Sequence, residues 1–270
     1  MKNISDFLNS PSPKPIRFLL TDIDDTMTTD GRLTSEAYAA LFKLQRAGIK
    51  VIPITGRPAG WCEMIARFWP VAGVVGENGG FYFHYTDKKM HRWFSQRIDE
   101  REANQKKLET IRIDILKKIP GAQVSSDQFC RLTDLAIDFC EDVQRLSDSE
   151  VQKIVRIFEH YQAVAKISSI HVNGWYGNHT KLSTALHMLE DLFNLGADEA
   201  KQVCVYAGDS PNDEPMFEFF PLAFGVANVN DFKNQMKTLP QFVSNYKNGA
   251  GFCEIVDFLE KNMTLKLFRD

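Results

Sequence analysis

This sequence predicts an α/β fold, a doubly wound parallel sheet of the Rossmann kind with an α+β unit inserted into it. Three observations carry the prediction. Short, almost wholly apolar runs such as "IRFLL", "IKVIPI" and "KQVCVYA" suit strands buried on both faces of a parallel sheet. Amphipathic helical stretches alternate with these runs through short joins. Between about residues 81 and 177 the alternation breaks, and aromatic runs, a long polar helix and mixed strands replace it.

Each element can be justified in turn. "IRFLL" opens the sheet. In "TSEAYAALFKLQRAG", Ala37, Ala40, Leu41 and Leu44 recur at helical spacing, Thr34 or Ser35 caps the start and Gly48 follows the end. "IKVIPI" is the second strand, stopping at "TGRP"; a helix covers "WCEMIARFW", and "AGVVG" is a third strand stopping at "ENGG". "FYFHY" and "HRWF" read as a hairpin, and a polar helix over residues 98 to 118 carries Leu108, Ile111, Ile115 and Ile119 on one side. There follow a strand "DLAIDF", a helix opened by the capping box Ser147 to Glu150, and one strand over "AVAKISSIHV". The α/β style then returns with a helix over "TKLSTALHMLEDLFNLG", closed by Gly196, and with the strands "KQVCVYA" and "LAFGVAN". The predicted division is an extended leader over 1–15, an α/β core over 16–80 and 178–270, and an inserted α+β unit over 81–177.

Composition narrows the function classes. The 270 residues are 44% hydrophobic and 25% charged, enough for a full core. A net charge of −3 makes no electrostatic case for a nucleic-acid partner. No apolar run has the length needed to span a bilayer, so no membrane partner is expected. The N-terminus lacks the apolar core of a signal peptide, and five cysteines without close spacing argue against a disulfide framework or a zinc site. These features read as a cytoplasmic protein.

The chemistry is written at the strand ends. Asp22, Asp24, Thr55, Glu77, Asn78, Asp209 and Asp213 each follow a strand, and in open α/β sheets ligands bind beyond the carboxyl ends of the strands. Carboxylates from different strands sharing one cleft would raise each other's pKa unless a cation were present, and Mg²⁺ suits an all-oxygen donor set. Asp25 reads as a turn residue. Lys181, at the start of a helix, adds positive potential to the same rim. Thr55 with Gly56 offers a hydroxyl and approachable backbone N–H groups, although alone it is also an ordinary strand-to-helix turn. Together these are parts for phosphoryl transfer through a carboxylate nucleophile.

The four segments "DIDDT" (Asp22 to Thr26), "TGR" (from Thr55), "TKL" (around Lys181) and "GDSPND" (Asp209 to Asp213), in that order, resemble the motifs of the haloacid dehalogenase (HAD) superfamily of phosphohydrolases. The chain is most similar to subclass IIB, the branch of sucrose-phosphate phosphatases and Cof-like sugar phosphatases, whose α+β cap is inserted between the second and third motifs. The resemblance implies Asp22 as nucleophile and Asp24 as general acid and base. It implies Thr55, Gly56 and Lys181 as phosphate-binding residues. It further implies Mg²⁺ on Asp22, Asp24 and Asp209, with Asp213 auxiliary. Thr26, Glu77, Asn78 and Asn212 would support the site. Thr180 departs from the pattern, standing where many relatives have Asp.

In the cap, Arg131, Asp134, Trp175 and Asn178 are the candidates for contacts to a small phosphorylated sugar. Two alternatives stand beside the phosphatase. A sugar phosphomutase would share the nucleophile and differ in the phosphoryl acceptor. A receiver-like switch would hold phosphate on Asp without turnover.

Overall fold

The computed structural model describes residues 1–9 and 14–267. In chain order its elements begin with β1 (Lys2–Asn3), β2 (Phe18–Thr21), the small hairpin β3 (Thr28–Thr29) and β4 (Arg32–Leu33), α1 (Ser35–Arg46), β5 (Lys50–Pro53), α2 (Ala59–Phe68) and β6 (Val74–Gly76). The middle of the chain forms β7 (Phe81–Thr86), β8 (Lys89–Phe94), α3 (Ile98–Lys118), β9 (Gln123–Val124), β10 (Asp134–Asp138), α4 (Asp148–His160), β11 (Val164–Ile167) and β12 (His171–Trp175). The last part forms α5 (Lys181–Phe193), α6 (Ala197–Val203), β13 (Cys204–Gly208), α7 (Glu214–Phe219), β14 (Ala223–Gly225), β15 (Phe242–Val243) and α8 (Asn248–Leu267).

The main sheet has the order β1-β15-β14-β13-β2-β5, and every pairing in it is parallel. A parallel bridge from Ile54 to Val75 continues it to β6. Successive residues of β2 feed opposite apolar layers, as the strand period of two requires. Leu19 packs with Leu41, Ile65 and Phe252 of α1, α2 and α8. Leu20 packs with Leu189, Ala200 and Phe217 of α5, α6 and α7. Helices therefore cover both faces, which is why the strands read as continuous apolar runs.

The inserted unit has its own core. A four-stranded antiparallel sheet, β11-β12-β10-β9, packs Leu135, Ile137 and Val172 against Ile111 of α3 and Ile154 and Phe158 of α4. Gly174 sits where any Cβ would strike the Phe158 ring, at 2.0 Å. The opposite sheet face, carrying Asp134, His171 and Asn173, looks towards the main domain's strand ends.

Four sequence expectations change. The leader is not merely extended: β1 joins the main sheet and Phe7 is fully buried, its ring 5.1 Å from that of Phe224. Residues 10–13 of the leader lie outside the described residues. The hairpin β7–β8, expected to begin the insert at residue 81, packs Phe81 and Phe83 into the same layer as Ile65 of α2, so the apolar division falls after the hairpin. "AVAKISSIHV" is two strands rather than one, because the Ser168 hydroxyl accepts from the His171 N–H at 2.9 Å and turns the chain back. Gly196 does not close α5. Asn194 does so in the left-handed conformation, at φ 51°, and Gly196 instead precedes α6, which takes up the first residues of "KQVCVYA".

Candidate active site

The carboxyl ends of β2, β5 and β13 bring three of the four motifs to one rim, and the N-terminus of α5 brings the fourth. Asp22 leaves β2 with its backbone N–H still bonded to Ala207 on β13, at 2.9 Å, so its carboxyl is placed by the ladder itself. Its Oδ1 accepts from Lys181 Nζ at 2.9 Å. The same ammonium donates to Asp213 Oδ1 at 3.2 Å. Thr180, which departs from the family pattern, caps α5 reciprocally with Ser183, and Lys181 is aimed by its own bonds to Asp22 and Asp213.

Asp213 is saturated by protein donors. Tyr206 Oη donates to its Oδ1 at 2.6 Å, and the Asp209 backbone N–H to its Oδ2 at 3.0 Å. Gly208 makes room for it, since a Cβ there would lie 2.4 Å from that oxygen. Asp209 accepts from Thr26 Oγ1 at 3.1 Å and from Asn228 Nδ2 at 3.3 Å. Carboxylate oxygens of Asp22, Asp209 and Asp213 fall within 4.8 Å of one another, all buried.

That crowding shows in the acidities. Burial pushes the Asp22 carboxyl up to about 7; Lys181 opposes the rise, and Asp213 and Asp24 add to it. Burial, with Asp213 and Asp22, holds Asp209 well above the usual carboxylate range. Burial alone would lower the Lys181 ammonium, but Asp213 and Asp22 outweigh it and keep it charged. One lysine for three buried carboxyls leaves the cluster short of positive charge, and its donors are all hard oxygens. The residues fit a divalent cation such as Mg²⁺.

Asp24 stands across the cleft, gripped by Arg57: Nε lies 3.0 Å from Oδ1 and 3.2 Å from Oδ2, and Nη2 lies 2.8 Å from Oδ1. Thr55 is buried and its Oγ1 accepts from the Arg57 N–H at 3.0 Å, while Gly56 lines the cleft. The Asn78 Nδ2 group, also lining the cleft, is a buried donor with no protein acceptor. Such a group suits an anionic oxygen. Asn212 lines the same space and accepts from Ser210 Oγ at 2.9 Å. Asp25 takes φ 57°, the left-handed turn geometry its residue type allows.

Glu77 does not face the cleft. It is fully buried and receives the N–H groups of Ala59, Leu132 and Thr133 and the Thr133 hydroxyl, at 2.6 to 3.1 Å. Burial, with Asp134 nearby, raises it to about 7 despite Arg131. It ties the inserted unit to the strand-end rim. Arg131 does the same from the other side, donating to the Gly56 carbonyl at 2.9 Å while Asp127 and Asp134 hold its remaining edges.

Of the four expected substrate contacts, only Arg131 lines the cleft. Asp134 is wholly buried beneath Arg131 and Asn173. Trp175 is buried against His179, ring centroids 5.6 Å apart, and Asn178 faces solvent. Position along β12 explains this: His171 and Asn173 come earlier in the strand than Trp175, next to the turn over residues 168–170 that lines the cleft with Asp22 and Asp24. Ser168, Ser169, His171 and Asn173 complete the lining of the cleft. Sequence reasoning missed His171, Arg57, Glu141 and Asn228. Arg57 lay inside the quoted "TGR", which alone is an ordinary strand-to-helix turn; the others carried no local signal.

Residues 19–116 match the haloacid dehalogenase-like hydrolase family. A phosphoglycolate phosphatase of Methanobrevibacter smithii is 24% identical over 253 residues, covering 88% of this chain and 96% of that protein. A Thermoplasma acidophilum structure superposes with a TM-score of 0.70 at 23% identity, over 92% of this chain and 99% of that one. The sucrose-phosphatase of Synechocystis, solved with sucrose and phosphate, gives 0.61 at 14% identity, over the same shares. The family match begins in β2 and takes in Asp22, Asp24 and Thr55, and the fold is shared over nine-tenths of the chain. The chain is thus similar to haloacid dehalogenase-like hydrolases over residues 19–116 and to phosphatases over about nine-tenths of its length, and the two findings together support a phosphatase.

Proposed function

We propose that this phosphatase is a Mg²⁺-dependent phosphomonoesterase that passes the phosphoryl group of a compact sugar phosphate through Asp22. The observation that carries the reading is the Asp22–Lys181–Asp213 array beside Asp209, with Asp22, Asp24 and Asp209 lining one small cleft. An Asp22 oxygen attacks phosphorus, the ester P–O bond breaks, and the leaving oxygen takes a proton from Asp24. Water then attacks the phosphoryl group, Asp24 takes its proton, and Asp22 is released with inorganic phosphate. Lys181, the Thr55 hydroxyl and the Asn78 amide are the donors suited to the phosphoryl oxygens. Mg²⁺ on the side chains of Asp22 and Asp209, with the Asp24 carbonyl as a further ligand and Asp213 behind, would offset the charge of attacking carboxylate and phosphate.

Charge pairing bears on the leaving group. Arg57, Arg131 and His171, the cationic or titratable donors on the cleft wall away from Lys181, are each already matched by carboxylates of the protein. Hydroxyl and amide groups of Ser168, Ser169 and Asn173 remain. Such a wall suits a neutral, hydroxyl-bearing leaving group better than one bringing its own carboxylate, as the relatives' phosphoglycolate would. In a panel assayed with Mg²⁺, hexose and smaller polyol phosphates are expected to exceed 2-phosphoglycolate and sucrose 6-phosphate in kcat/KM. Preference for phosphoglycolate would overturn the substrate argument and leave the phosphatase reading standing. Isomerised sugar phosphate without free phosphate would point to a mutase.

The acidities predict a linked pH effect. A carboxyl raised from 3.8 to about 7 holds its proton longer in the folded state, so its contribution to stability falls as pH rises between those values. A bound cation needs the deprotonated form. The rise in Tm on adding Mg²⁺ is therefore expected to be larger, by a few degrees, near pH 7.5 than near pH 5. Equal rises at both pH values would count against a cation on Asp22.

A further inference from the structure

Arg57 is held from both sides of the cleft. Its Nε and Nη2 grip Asp24, while its Nη1 lies 3.0 Å from Glu141 Oε1 and 3.8 Å from Asp127 Oδ2, both carried by the inserted unit. The Trp61 ring stacks on the guanidinium at 4.4 Å. Glu141 is itself built into place. Asp138, at the end of β10, accepts the N–H groups of Cys140, Glu141 and Asp142 at 2.8 to 2.9 Å, which folds the loop tightly around its carboxylate. His171 stands directly opposite Asp138 in the β10–β12 register, and its Nε2 lies 2.9 Å from Glu141 Oε2, off the axis of a good hydrogen bond but close enough to pair.

We propose that Glu141, steadied by His171 and Asp138, is a positioning residue: through Arg57 it orients the Asp24 carboxyl, so that the proton donor is aligned only when the inserted unit is docked. This rests on the roles given above to Asp22 and Asp24. A guanidinium is a planar fork, so fixing one edge fixes the direction of the other. Glu141 fixes the Nη1 edge, and the Nε–Nη2 edge then sets the Asp24 carboxylate plane. Asp24 Oδ1 takes the two shorter contacts, at 2.8 and 3.0 Å, which leaves Oδ2, met by Nε alone at 3.2 Å, with room for the travelling proton. A cap that only excluded water would need no charge in this loop. Here the Arg57 side chain is only 5% exposed, so its pairing is screened far less than that of a surface ion pair. Contact with His171 holds the Glu141 carboxyl down at about 2; burial opposes and Arg57 supports this, so the anchor is a carboxylate at any working pH.

The test uses leaving groups. kcat/KM reports the steps through phosphoryl transfer to Asp22, and an alkoxide needs a proton from Asp24 whereas nitrophenolate does not. Glu141→Gln is expected to lower kcat/KM for the best sugar phosphate by about tenfold while changing p-nitrophenyl phosphate by less than about twofold, a fraction of the range general acids supply. Glu141→Asp should recover much of the loss, and Arg57→Lys, a point charge without a fork, should show the same selective fall. These two variants decide the question if Glu141→Gln proves unfolded by circular dichroism. Asp24→Asn is the reference and should show a larger selective fall. Parallel losses on both substrates, or none, in the Glu141 and Arg57 variants would overturn the proposal while a selective Asp24→Asn effect kept the phosphatase reading. A ratio unmoved by Asp24→Asn would overturn both.

Discussion

Replacing Asp22 by Asn is expected to lower phosphate release by at least about 10³-fold, the scale of losing a nucleophile, while leaving the fold intact. The amide keeps the shape of the side chain and an oxygen for the Lys181 hydrogen bond at 2.9 Å, but offers no carboxylate to attack phosphorus. Stability should not suffer, because the change removes one charge from a buried cluster that already holds too many carboxyls. Asp209, raised by Asp213 and Asp22 as well as by burial, is relieved by it. The measurements are phosphate release, acid-stable phosphate on the protein after a rapid quench, and thermal unfolding. Substantial turnover in this variant would remove Asp22 from the mechanism.

Lys181→Met should fail in both respects, which separates it from Asp22→Asn. The lysine is the buried cation shared by Asp22 and Asp213, at 2.9 and 3.2 Å. Methionine replaces its unbranched stem, one atom shorter, and removes its charge, leaving carboxylates buried without their partner. Breaking a buried pair in this way costs about 3–5 kcal/mol. For a chain of this size that corresponds to a fall of roughly 10 °C in Tm. Mg²⁺ should restore part of the loss, since a cation supplies the missing charge, whereas phosphate release should stay low because a donor to the phosphoryl oxygens is gone. A Tm unchanged from wild type in EDTA would show that the ammonium and its two carboxylates are not a stabilising unit, and would undo the electrostatic account of the rim.

How legible the protein was depends on the range of the interaction. α1 forms where its apolar spacing and Thr34 cap place it, and α4 opens on Ser147 with the capping box its sequence spells. Those signals act over three or four residues. The placement of the strand-end motifs was readable for a related reason. In a parallel sheet every strand delivers its end to the same edge, so Asp22, the Thr55–Gly56 turn and Asp209 come to one rim once their strands are recognised.

Other features needed partners distant in the chain. β1 is two residues long and joins the sheet because β15 presents an open edge to it, 240 positions later. The turn at Ser168 depends on a hydroxyl that one strand pattern cannot distinguish from a surface serine. Trp175 and Asn178 had the right chemistry for a substrate contact, but Trp175, at the last position of β12, packs inside against His179, and Asn178, beyond the strand, faces solvent.

The sequence by itself determined the central strands of the sheet, their helical layers and which polar groups stand at the strand ends, because apolar periodicity and strand-end chemistry are local. Only the tertiary structure decided which insert residues face that set. Glu141 pairs with Arg57 and His171 from other elements, and Arg131 reaches the cleft by donating to the Gly56 carbonyl. Charge pairing at that distance leaves no periodic trace in a chain; it exists only once strands from two units have brought the carboxylates and the guanidinium within about 3 Å.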